Sequence, residues 1–462
     1  MNEGGERTPP GTSRAGSGLR ERAQFVLLLC VGLTMPFHAF PVARLSGRDI
    51  DLATVLVGMF ILASLPELLA ARSPSVAFVL CAAAVPLLAL VPPRPPFLSL
   101  PAFTGTYVHW LLVVFFFVSA ASLRISPRRA RFLVGGQIAM GVVVSLFALY
   151  QVLGIPRGWP GTAPFLFPGQ REPFRFTPIT GTGLGGSYTR PTSFFLEPAW
   201  MGGYLAWVLA LCLVWRRGPG GARAGAALRF LAVLLLLSAI LATVSWGAFV
   251  DLGVVLIVTF ASLRERGRRS RLVIAILVGG MVVAGFGLLS TPGKKIVGAV
   301  TQRWQMLRET PTTESASAGE IKDSSWVRVR NAEHAFDLWR ARPLRGVGLG
   351  QFRRYAGVND TTPLTKLAQE DPWCGWLASA AEMGILGPAI LLAAMFGVFL
   401  RYRSATGGEF RPAVPVLLAV AAVQQLHTGS YVDLWWWYPL GLAAVLGRPP
   451  SPKENPARAR LL

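Results

Sequence analysis

The sequence predicts an all-α, polytopic membrane protein with about twelve transmembrane helices and a large external helical loop. Apolar residues make up 52% of the chain and charged residues only 15%. The apolar residues come in blocks long enough to cross a bilayer, which takes about 20 residues of helix. Basic residues form short clusters between these blocks, as the positive-inside rule requires of cytoplasmic loops. These three observations together predict the fold class.

The candidate spans are the twelve apolar blocks of the chain. They lie near residues 24–40, 50–70, 75–92, 105–123, 132–154, 194–215, 228–244, 246–263, 272–290, 374–400, 412–428 and 432–447. The region 228–263 must hold two short spans, with a turn near Ser245-Trp246-Gly247. When the N-terminus is placed inside, every basic cluster faces the cytoplasm. Both termini are therefore expected to be cytoplasmic.

These blocks divide the chain into five regions. They are a polar tail (1–22), nine spans with an external loop at 155–193 (23–290), a large external loop subdomain (291–373), three further spans (374–447) and a cytoplasmic tail (448–462). The loop 155–193 is rich in Gly and Pro, which predicts an irregular structure. In the larger loop, a basic amphipathic segment at 294–308 and a polar linker at 310–319 precede the main helix.

Composition and spacing argue against several other classes of protein. The formal net charge of +22 is compatible with nucleic-acid binding. However, the basic residues lie between apolar blocks and form no face interleaved with aromatic residues, so topology explains them better and no nucleic-acid partner is expected. The four cysteines lie in or beside apolar blocks without metal spacing. No His/Cys/Asp cluster has ligand spacing, so neither a metal nor a cofactor is expected.

A charged helix followed by a glycine-rich turn organises the large loop. Its apolar residues recur at three- and four-residue steps, which predicts one apolar helix face, and they are Trp326, Val329, Ala332, Phe336 and Trp339. Pro343 ends the helix. Beyond it, Gly346, Gly348 and Gly350 alternate in a run that can expose backbone N–H groups. This run does not match the dinucleotide-binding fingerprint.

This arrangement resembles the O-antigen ligase and polymerase superfamily. The superfamily signature is an Arg, a short helix with an aromatic residue and a Pro-Leu-x-Gly-Val-Gly-x-Gly turn, which are matched by Arg328, Trp339 and residues 343–350. The resemblance extends to the stretch Arg190-Pro-Thr-Ser-Phe-Phe-Leu-Glu197-Pro before a span, and to Glu382-Met-Gly-Ile-Leu-Gly in a later helix. The three motifs occur in the order that the superfamily predicts.

Arginines are the candidate ligands of an anionic substrate. The interval 291–373 contains thirteen Lys or Arg and nine Asp or Glu, a net charge of +4, which suggests an anionic ligand or a solvated basic surface. The resemblance implies that arginines hold the diphosphate of a polyprenyl-linked sugar donor, for which the planar guanidinium is suited. Arg328 and Arg190 align with the signature arginines. Weaker candidates, each of which a surface charge explains better, are Arg330, Arg340, Arg342 and Arg345.

The catalytic base is left open between several residues. Glu197 begins a span, where it suits a helix N-cap or a general base for an acceptor hydroxyl about equally. The ligase branch of the superfamily carries a His-Asn pair nine residues before the Glu of Glu-x-Gly, but Trp373 and Cys374 occupy that place here. The absent histidine argues against a ligase. Further candidates for its role are Glu370, Asp371 and His334.

Other polar and aromatic residues have structural explanations. Asp251 and Glu382 lie inside predicted spans and are functional hypotheses by default, although a hydrogen bond in helix packing explains both better. His427, near a span end, is interpreted as an interfacial or packing residue. Residues 435–438 (Trp-Trp-Trp-Tyr) predict an interfacial aromatic belt, with sugar stacking as an alternative. Ser245-Trp246-Gly247 stands where many relatives have Ser-Arg-Gly.

The resemblance implies a membrane glycosyltransferase that polymerises polyprenyl-diphosphate-linked repeat units into O-antigen or exopolysaccharide. Its site would face outward from the bacterial cytoplasmic (inner) membrane. The alternatives are a ligase that transfers finished glycan to a lipid or protein acceptor, and a flippase or transporter of the lipid-linked sugar, which should show inverted repeats. The expected partners are the lipid-linked oligosaccharide, the bilayer, and a chain-length regulator or flippase of the same pathway.

Overall fold

The protein is a bundle of apolar helices with two short β-hairpins. The computed structural model describes residues 14–37, 41–45, 48–70, 74–160, 178–181, 186–195, 197–215, 223–263, 324–356, 373–404, 409–428 and 431–448. The helices are α1 (Arg14–Thr34), α2 (Leu52–Ala70), α3 (Pro74–Leu87), α4 (Leu100–Ser122), α5 (Pro127–Gly154), α6 (Pro198–Val214), α7 (Arg223–Ala242), α8 (Trp246–Ser262), α9 (Ser324–Ala341), α10 (Phe352–Ala356), α11 (Gly375–Met383), α12 (Leu386–Ser404), α13 (Ala413–His427) and α14 (Leu434–Leu446). Two antiparallel strand pairs join β1 (Pro41–Leu45) to β2 (Arg48–Asp51) and β3 (Pro178–Gly181) to β4 (Gly186–Thr189).

The helical membrane class predicted from the sequence is confirmed. In the described ranges, α2, α4, α5, α7 and α12 are long and apolar enough to cross a membrane, and α3, α6, α8, α13 and α14 are apolar but shorter. The predicted span at 272–290 and the segments at 294–308 and 310–319 lie outside the described residues. The count of twelve spans therefore stays a prediction. The loop predicted to be irregular, 155–193, contains the β3–β4 hairpin.

The structure confirms one predicted helix boundary and contradicts another. The turn near residue 245 is confirmed, because α7 and α8 are separated by three residues and Val244 has a positive φ of 46°. The single span predicted at 374–400 is wrong. It consists of α11 and α12, which are separated at Gly384, where φ is +67°. Apolarity continues through this break, so hydropathy alone did not reveal it.

The core of the bundle surrounds α6 and α14, which are buried on all sides. Helices α5, α7, α8 and α13 pack around α6, and α4, α12 and α13 pack around α14. The aromatic belt predicted at 435–438 is therefore wrong, since these residues are 0–8% exposed. Two of the four indole and hydroxyl groups form hydrogen bonds within the bundle: Trp436 Nε1 donates to the Ala421 carbonyl at 2.6 Å and Trp437 Nε1 to the Tyr431 carbonyl at 2.9 Å. A helix that is apolar all round is buried in a protein core or in a membrane, and α14 lies inside the bundle.

Arginines from three predicted cytoplasmic clusters lie together at one end of the bundle. Arg401 donates to the Ala121 carbonyl at 2.7 Å and Arg448 to the Ser122 carbonyl at 2.8 Å, so both bind the last carbonyls of α4. Burial, and then the charges of Arg401 and Arg124, lower the pKa of Arg448 to about 10. These arginines lie at one end of the bundle. The first motif, which precedes α6, and the last turn of α13 therefore lie at the opposite end of the bundle.

Candidate active site

The glycine-rich turn of the large loop is inserted into the break between α11 and α12. Three backbone hydrogen bonds hold it there. The Val347 N–H donates to the Ala381 carbonyl at 2.9 Å, the Gly348 N–H to the Glu382 carbonyl at 2.9 Å, and the Ile385 N–H to the Pro343 carbonyl at 2.7 Å. The turn motif and the Glu-x-Gly motif, which the sequence shows separately, therefore form one structural unit.

Glycine is required on both sides of this contact. The backbone φ is +65° at Gly346 and +67° at Gly384, a conformation that other residues adopt at a cost of about 1–3 kcal/mol. A Cβ on Gly346 would meet the Glu382 carbonyl group, and one on Gly384 would meet the Leu344 carbonyl group. The two glycines thus allow the two backbones to approach each other directly.

The expectation that the glycine run exposes backbone N–H groups is wrong. The Gly346 N–H donates to the Arg342 carbonyl at 2.9 Å, the Gly348 N–H to the Glu382 carbonyl, and the Gly350 N–H to a Glu382 carboxylate oxygen at 2.7 Å. The three N–H groups are therefore satisfied within the protein. Gly346, Gly348 and Gly350 shape the turn, and a direct role of their backbone in binding a ligand finds no support here.

Glu382 holds the turn in place with its side chain. Its carboxylate accepts from the Gly350 N–H at 2.7 Å, the Phe352 N–H at 2.9 Å and the Tyr431 hydroxyl at 2.5 Å. Glu382 is 7% exposed and Tyr431 3% exposed. A buried carboxylate is tolerated when such donors replace its hydration. The packing role predicted for Glu382 is confirmed, with backbone N–H groups as the main donors.

Helix α9 packs on this unit with a different face from the predicted one. In the part of α9 whose side chains are described, residues 331–341, Asn331 and Ala335 are buried, and Ala335 forms a small apolar cluster with Phe352, Ala381 and their neighbours. Phe336, predicted to lie on the apolar face, is 46% exposed. The error arises because Asn331 occupies a core position that the apolar pattern excludes. His334 lies beside this face and is half-buried.

The candidate diphosphate ligands differ in exposure and in whether their side chains are described. Arg328 and Arg330 belong to the first half of α9, and their side chains lie outside the described part of the chain. Arg345 is exposed and donates to the Val91 and Pro92 carbonyls at 3.5 and 3.3 Å, which orients it toward the loop between α3 and α4. Arg190 is half-buried at the start of the first motif.

The first motif is fixed against α5 by one buried amide. Gln151 Oε1 accepts from the N–H groups of Thr192 at 3.1 Å and Ser193 at 2.7 Å. The Ser193 hydroxyl donates to the Val144 carbonyl at 3.0 Å, and Ser193 has a positive φ of 52°. Buried hydrogen bonds therefore fix the chain at Thr192 and Ser193, between Arg190 and α6.

Glu197 occupies the N-cap position of α6, as predicted, but its side chain makes no capping hydrogen bond. Its backbone carbonyl accepts from the Met201 N–H at 3.2 Å, which begins the helix. The sequence left two roles open for the Glu197 side chain, a helix cap and a general base. The structure shows no hydrogen bond that would make it a helix cap. Glu370 and Asp371 lie outside the described residues, so their candidacy as a base stays a prediction.

One polar pair was missed by reasoning from the sequence. His427 Nε2 lies 2.9 Å from Asp251 Oδ1, and Gln424 Nε2 donates to Asp251 Oδ2 at 3.3 Å and to the Gly203 carbonyl at 3.1 Å. Asp251 is completely buried and the His427 side chain is 15% exposed. His427, interpreted as an interfacial or packing residue, is the partner in the packing hydrogen bond that was expected of Asp251. The available signal was the carboxylate inside a span, which needs a partner.

The last turn of α13, which contains His427, packs on the start of α11. Gly375 begins α11, whose last turn contains Glu382, and a Cβ on Gly375 would meet the Gln425 side chain. Gln425 and His427 both belong to the last turn of α13. The place where the superfamily's histidine is absent, at Trp373 and Cys374, is therefore directly before a residue that packs on this turn.

Three features occur at this end of the bundle: Arg190 with the anchored loop before α6, the glycine turn with Arg345, and a buried carboxylate–imidazole pair. Among the described residues, no group of three or more His, Cys, Asp or Glu is suited to hold a metal ion. Residues 231–392 match a family model described as O-antigen ligase. No curated protein matches the chain. The matched segment contains α9, the glycine turn, Glu382 and Asp251, whereas Arg190 and His427 lie outside it.

Proposed function

We propose a specific reaction for this protein, whose residues 231–392 belong to the O-antigen ligase and polymerase superfamily. The protein is a membrane glycosyltransferase that acts on lipid-linked glycans. It polymerises oligosaccharide repeat units carried on a polyprenyl diphosphate into O-antigen or exopolysaccharide. It works at the outer face of the bacterial inner membrane, with both termini in the cytoplasm. A chain-length regulator or flippase of the same pathway is its expected protein partner.

The single observation that carries this proposal is the insertion of the glycine turn into the α11–α12 break. This insertion fixes the C-terminal end of α9, and with it the helix that contains Arg328, against the membrane bundle. A soluble loop docked on membrane helices is the arrangement that a lipid-linked substrate needs, because its diphosphate lies at the interface while its polyprenyl chain remains in the bilayer.

In the proposed reaction an acceptor hydroxyl attacks the anomeric carbon of the donor sugar, and the polyprenyl diphosphate leaves. Negative charge grows on the leaving oxygen, so positive groups held at that point accelerate the step. Arg190 and Arg328 are proposed to bind the diphosphate, with Arg330 and Arg345 as further contacts. Arginine suits this role because its planar fork gives two parallel hydrogen bonds and stays charged. The donor's own leaving group supplies the driving force.

The reaction also needs a group that accepts the hydroxyl proton. The sequence offers Glu197 first, because it shares a short motif with Arg190, followed by Asp371, Glu370 and His334. The absence of a capping bond from Glu197 is compatible with this role, since a side chain engaged as a cap would be a poorer base.

The glycan profile of a strain that lacks this protein separates polymerase from ligase. Single repeat units remaining on the lipid carrier are expected for a polymerase. Long polymer on the carrier, with none transferred to an acceptor, would instead identify a ligase. Failure of lipid-linked units to reach the outer face would identify a flippase. The Trp373-Cys374 sequence at the place of the ligase His-Asn pair supports the first outcome.

The proposed diphosphate contact is tested by Arg190→Lys and Arg328→Lys. Each should lose about 1.5–3 kcal/mol of transition-state stabilisation, nearly as much as the Ala variants, because the paired hydrogen bonds are lost while the charge is kept. Elongation of lipid-linked repeat units by the purified protein gives the rate. Arg94→Lys is the matched control, because Arg94 is exposed and, within the described residues, donates to the Leu90 carbonyl alone. Full activity of both Lys variants would exclude a bidentate role.

The proposed orientation is tested by reporter fusions at glycines of five loops. Fusions at Gly218, Gly267 and Gly407 should report a cytoplasmic location, and fusions at Gly169 and Gly319 an external one. The basic clusters determine this expectation, since Lys and Arg in short loops are retained on the cytoplasmic side. An external signal from Gly267 would contradict the predicted order of spans.

A further inference from the structure

The last turn of α13 forms a buried polar cluster that the proposed diphosphate site does not use. Its side chains are Gln424 and His427, which face Asp251 of α8, and Gln425, which faces Gly375 of α11. Gln425 is completely buried, and among the described residues neither atom of its amide has a hydrogen-bond partner. Gln424 Oε1 and His427 Nδ1 also have no partner there. Buried polar groups are normally satisfied, so this concentration of unused donors and acceptors points to a ligand.

The chemistry of the cluster selects a neutral, hydroxyl-rich ligand. Its described side chains contain amides, an imidazole and a carboxylate, and none of them is Lys or Arg. A carboxylate repels a diphosphate, whereas amides and carboxylates form hydrogen bonds with sugar hydroxyls, which both donate and accept. The arginines and this cluster therefore suit different parts of a glycosyl transfer, the donor diphosphate and the acceptor sugar.

The proton position within the pair follows from hydrogen-bond chemistry. An ionised Asp251 can only accept, so the His427 nitrogen that faces it, Nε2, must carry the hydrogen. In a neutral imidazole the lone pair then lies on Nδ1. A Cβ on Gly247 would approach Nδ1, Cε1 and Cγ at similar distances, so the ring lies with its face on Gly247. The Nδ1 lone pair, which lies in the ring plane, does not point at that glycine.

On this basis, and resting on the proposed glycosyl transfer, we infer that His427 is the catalytic base and that the α13 cluster binds the acceptor sugar. His427 Nδ1 takes the proton of the acceptor hydroxyl while its oxygen bonds to the anomeric carbon. The bond from that carbon to the diphosphate oxygen breaks, and the electron pair leaves with the polyprenyl diphosphate. Asp251 is a positioning residue that fixes the imidazole tautomer and stabilises the imidazolium. His427 of α13 thus takes the role of the histidine that the ligase branch carries at the position of Trp373.

The test uses the full-length protein in lipid nanodiscs with polyprenyl-diphosphate-linked repeat units and measures elongation and donor binding separately. His427→Gln should slow elongation by about 10²–10⁴-fold, the usual contribution of a general base, with donor affinity unchanged. Asp251→Asn should show the same split between rate and binding. The double variant should be no slower than His427→Gln, because the two residues act as a unit.

Two further variants test residues near His427 in the sequence. Thr428→Val is the matched control, since the Thr428 hydroxyl donates to the Gln424 carbonyl at the same helix end, and it should elongate at the wild-type rate. Gln425→Leu should raise the acceptor KM by about five- to tenfold, the size of one or two neutral hydrogen bonds, and leave donor affinity unchanged.

Wild-type elongation by His427→Gln, or loss of elongation in Glu197→Gln with normal His427→Gln, would overturn the inference and leave the proposed function standing. A wild-type protein that neither elongates nor transfers lipid-linked units would overturn the proposed function itself. Should His427→Gln fail to fold, Asp251→Asn, which has nearly the same shape as the native residue, decides the question through the same split between elongation rate and donor affinity.

Discussion

Glu382 and Asp251 are both carboxylates buried among apolar helices, and they differ in the kind of hydrogen-bond partner. Glu382 receives two backbone N–H groups and a tyrosine hydroxyl. Asp251 receives two side chains, one of which is an imidazole whose other nitrogen has no partner in the described part of the protein. The first arrangement joins fixed backbone segments, whereas the second holds a titratable ring with one nitrogen still available.

This difference indicates how a buried acid can be assigned to structure or to chemistry. A carboxylate that binds backbone donors stabilises a particular chain path. A carboxylate that orients an imidazole resembles the arrangement of acid–base catalysis, in which a third group fixes the tautomer of the base. Charge and burial are similar in the two cases, so the partners decide the assignment.

The largest expected effect is on the fold, from Glu382→Leu. This variant leaves the Gly350 N–H, the Phe352 N–H and the Tyr431 hydroxyl without their acceptor, at about 1–3 kcal/mol each. We expect little folded protein in detergent by size-exclusion chromatography. Tyr431→Phe is the matched control because it removes only one donor and should lower the thermal unfolding midpoint slightly. Equal losses in the two variants would show that the backbone contacts of Glu382 contribute little.

A smaller loss of stability is expected from Gly346→Ala, which changes the glycine turn that Glu382 holds in the α11–α12 break. The new Cβ meets the Glu382 carbonyl group, and the positive φ alone costs about 1–3 kcal/mol. Gly397→Ala is the control, because Gly397 is in α12 with open space around its Cβ position. Thermal unfolding in detergent should separate the two. A stable Gly346→Ala protein would mean that the turn can leave the α11–α12 break without cost.

The smallest effect on stability is expected when both members of the second pair are replaced, in Asp251→Leu/His427→Leu. Apolar replacement of both members of a buried polar pair is often neutral, whereas His427→Leu alone leaves the Asp251 carboxylate buried without its imidazole partner and should cost about 3–5 kcal/mol. The double variant should therefore unfold near the wild-type temperature and fail to elongate glycan. A double variant as unstable as the single one would place Asp251 and His427 with Glu382 as structural residues.

Local sequence determined much of this protein. Apolar blocks of spanning length produced the helices because a membrane helix satisfies its own backbone and needs no distant partner to be recognised. The turn at 243–245, the end of α9 and the glycine-rich turn were likewise encoded by residues next to them. The order of the motifs identified the superfamily, and the carboxylates at 251 and 382 were visible as polar residues inside apolar runs.

Tertiary packing decided what those residues do. The partners of Glu382 lie 30 to 49 residues away, and His427 is 176 residues from Asp251, so no local pattern pairs them. The helix break at Gly384 exists because the turn at 343–350 fills it, and the buried face of α9 follows Asn331 and Ala335 because α11 packs there. Hydropathy and backbone preference are properties of neighbouring residues, whereas hydrogen-bond partners and burial are set by which helices meet.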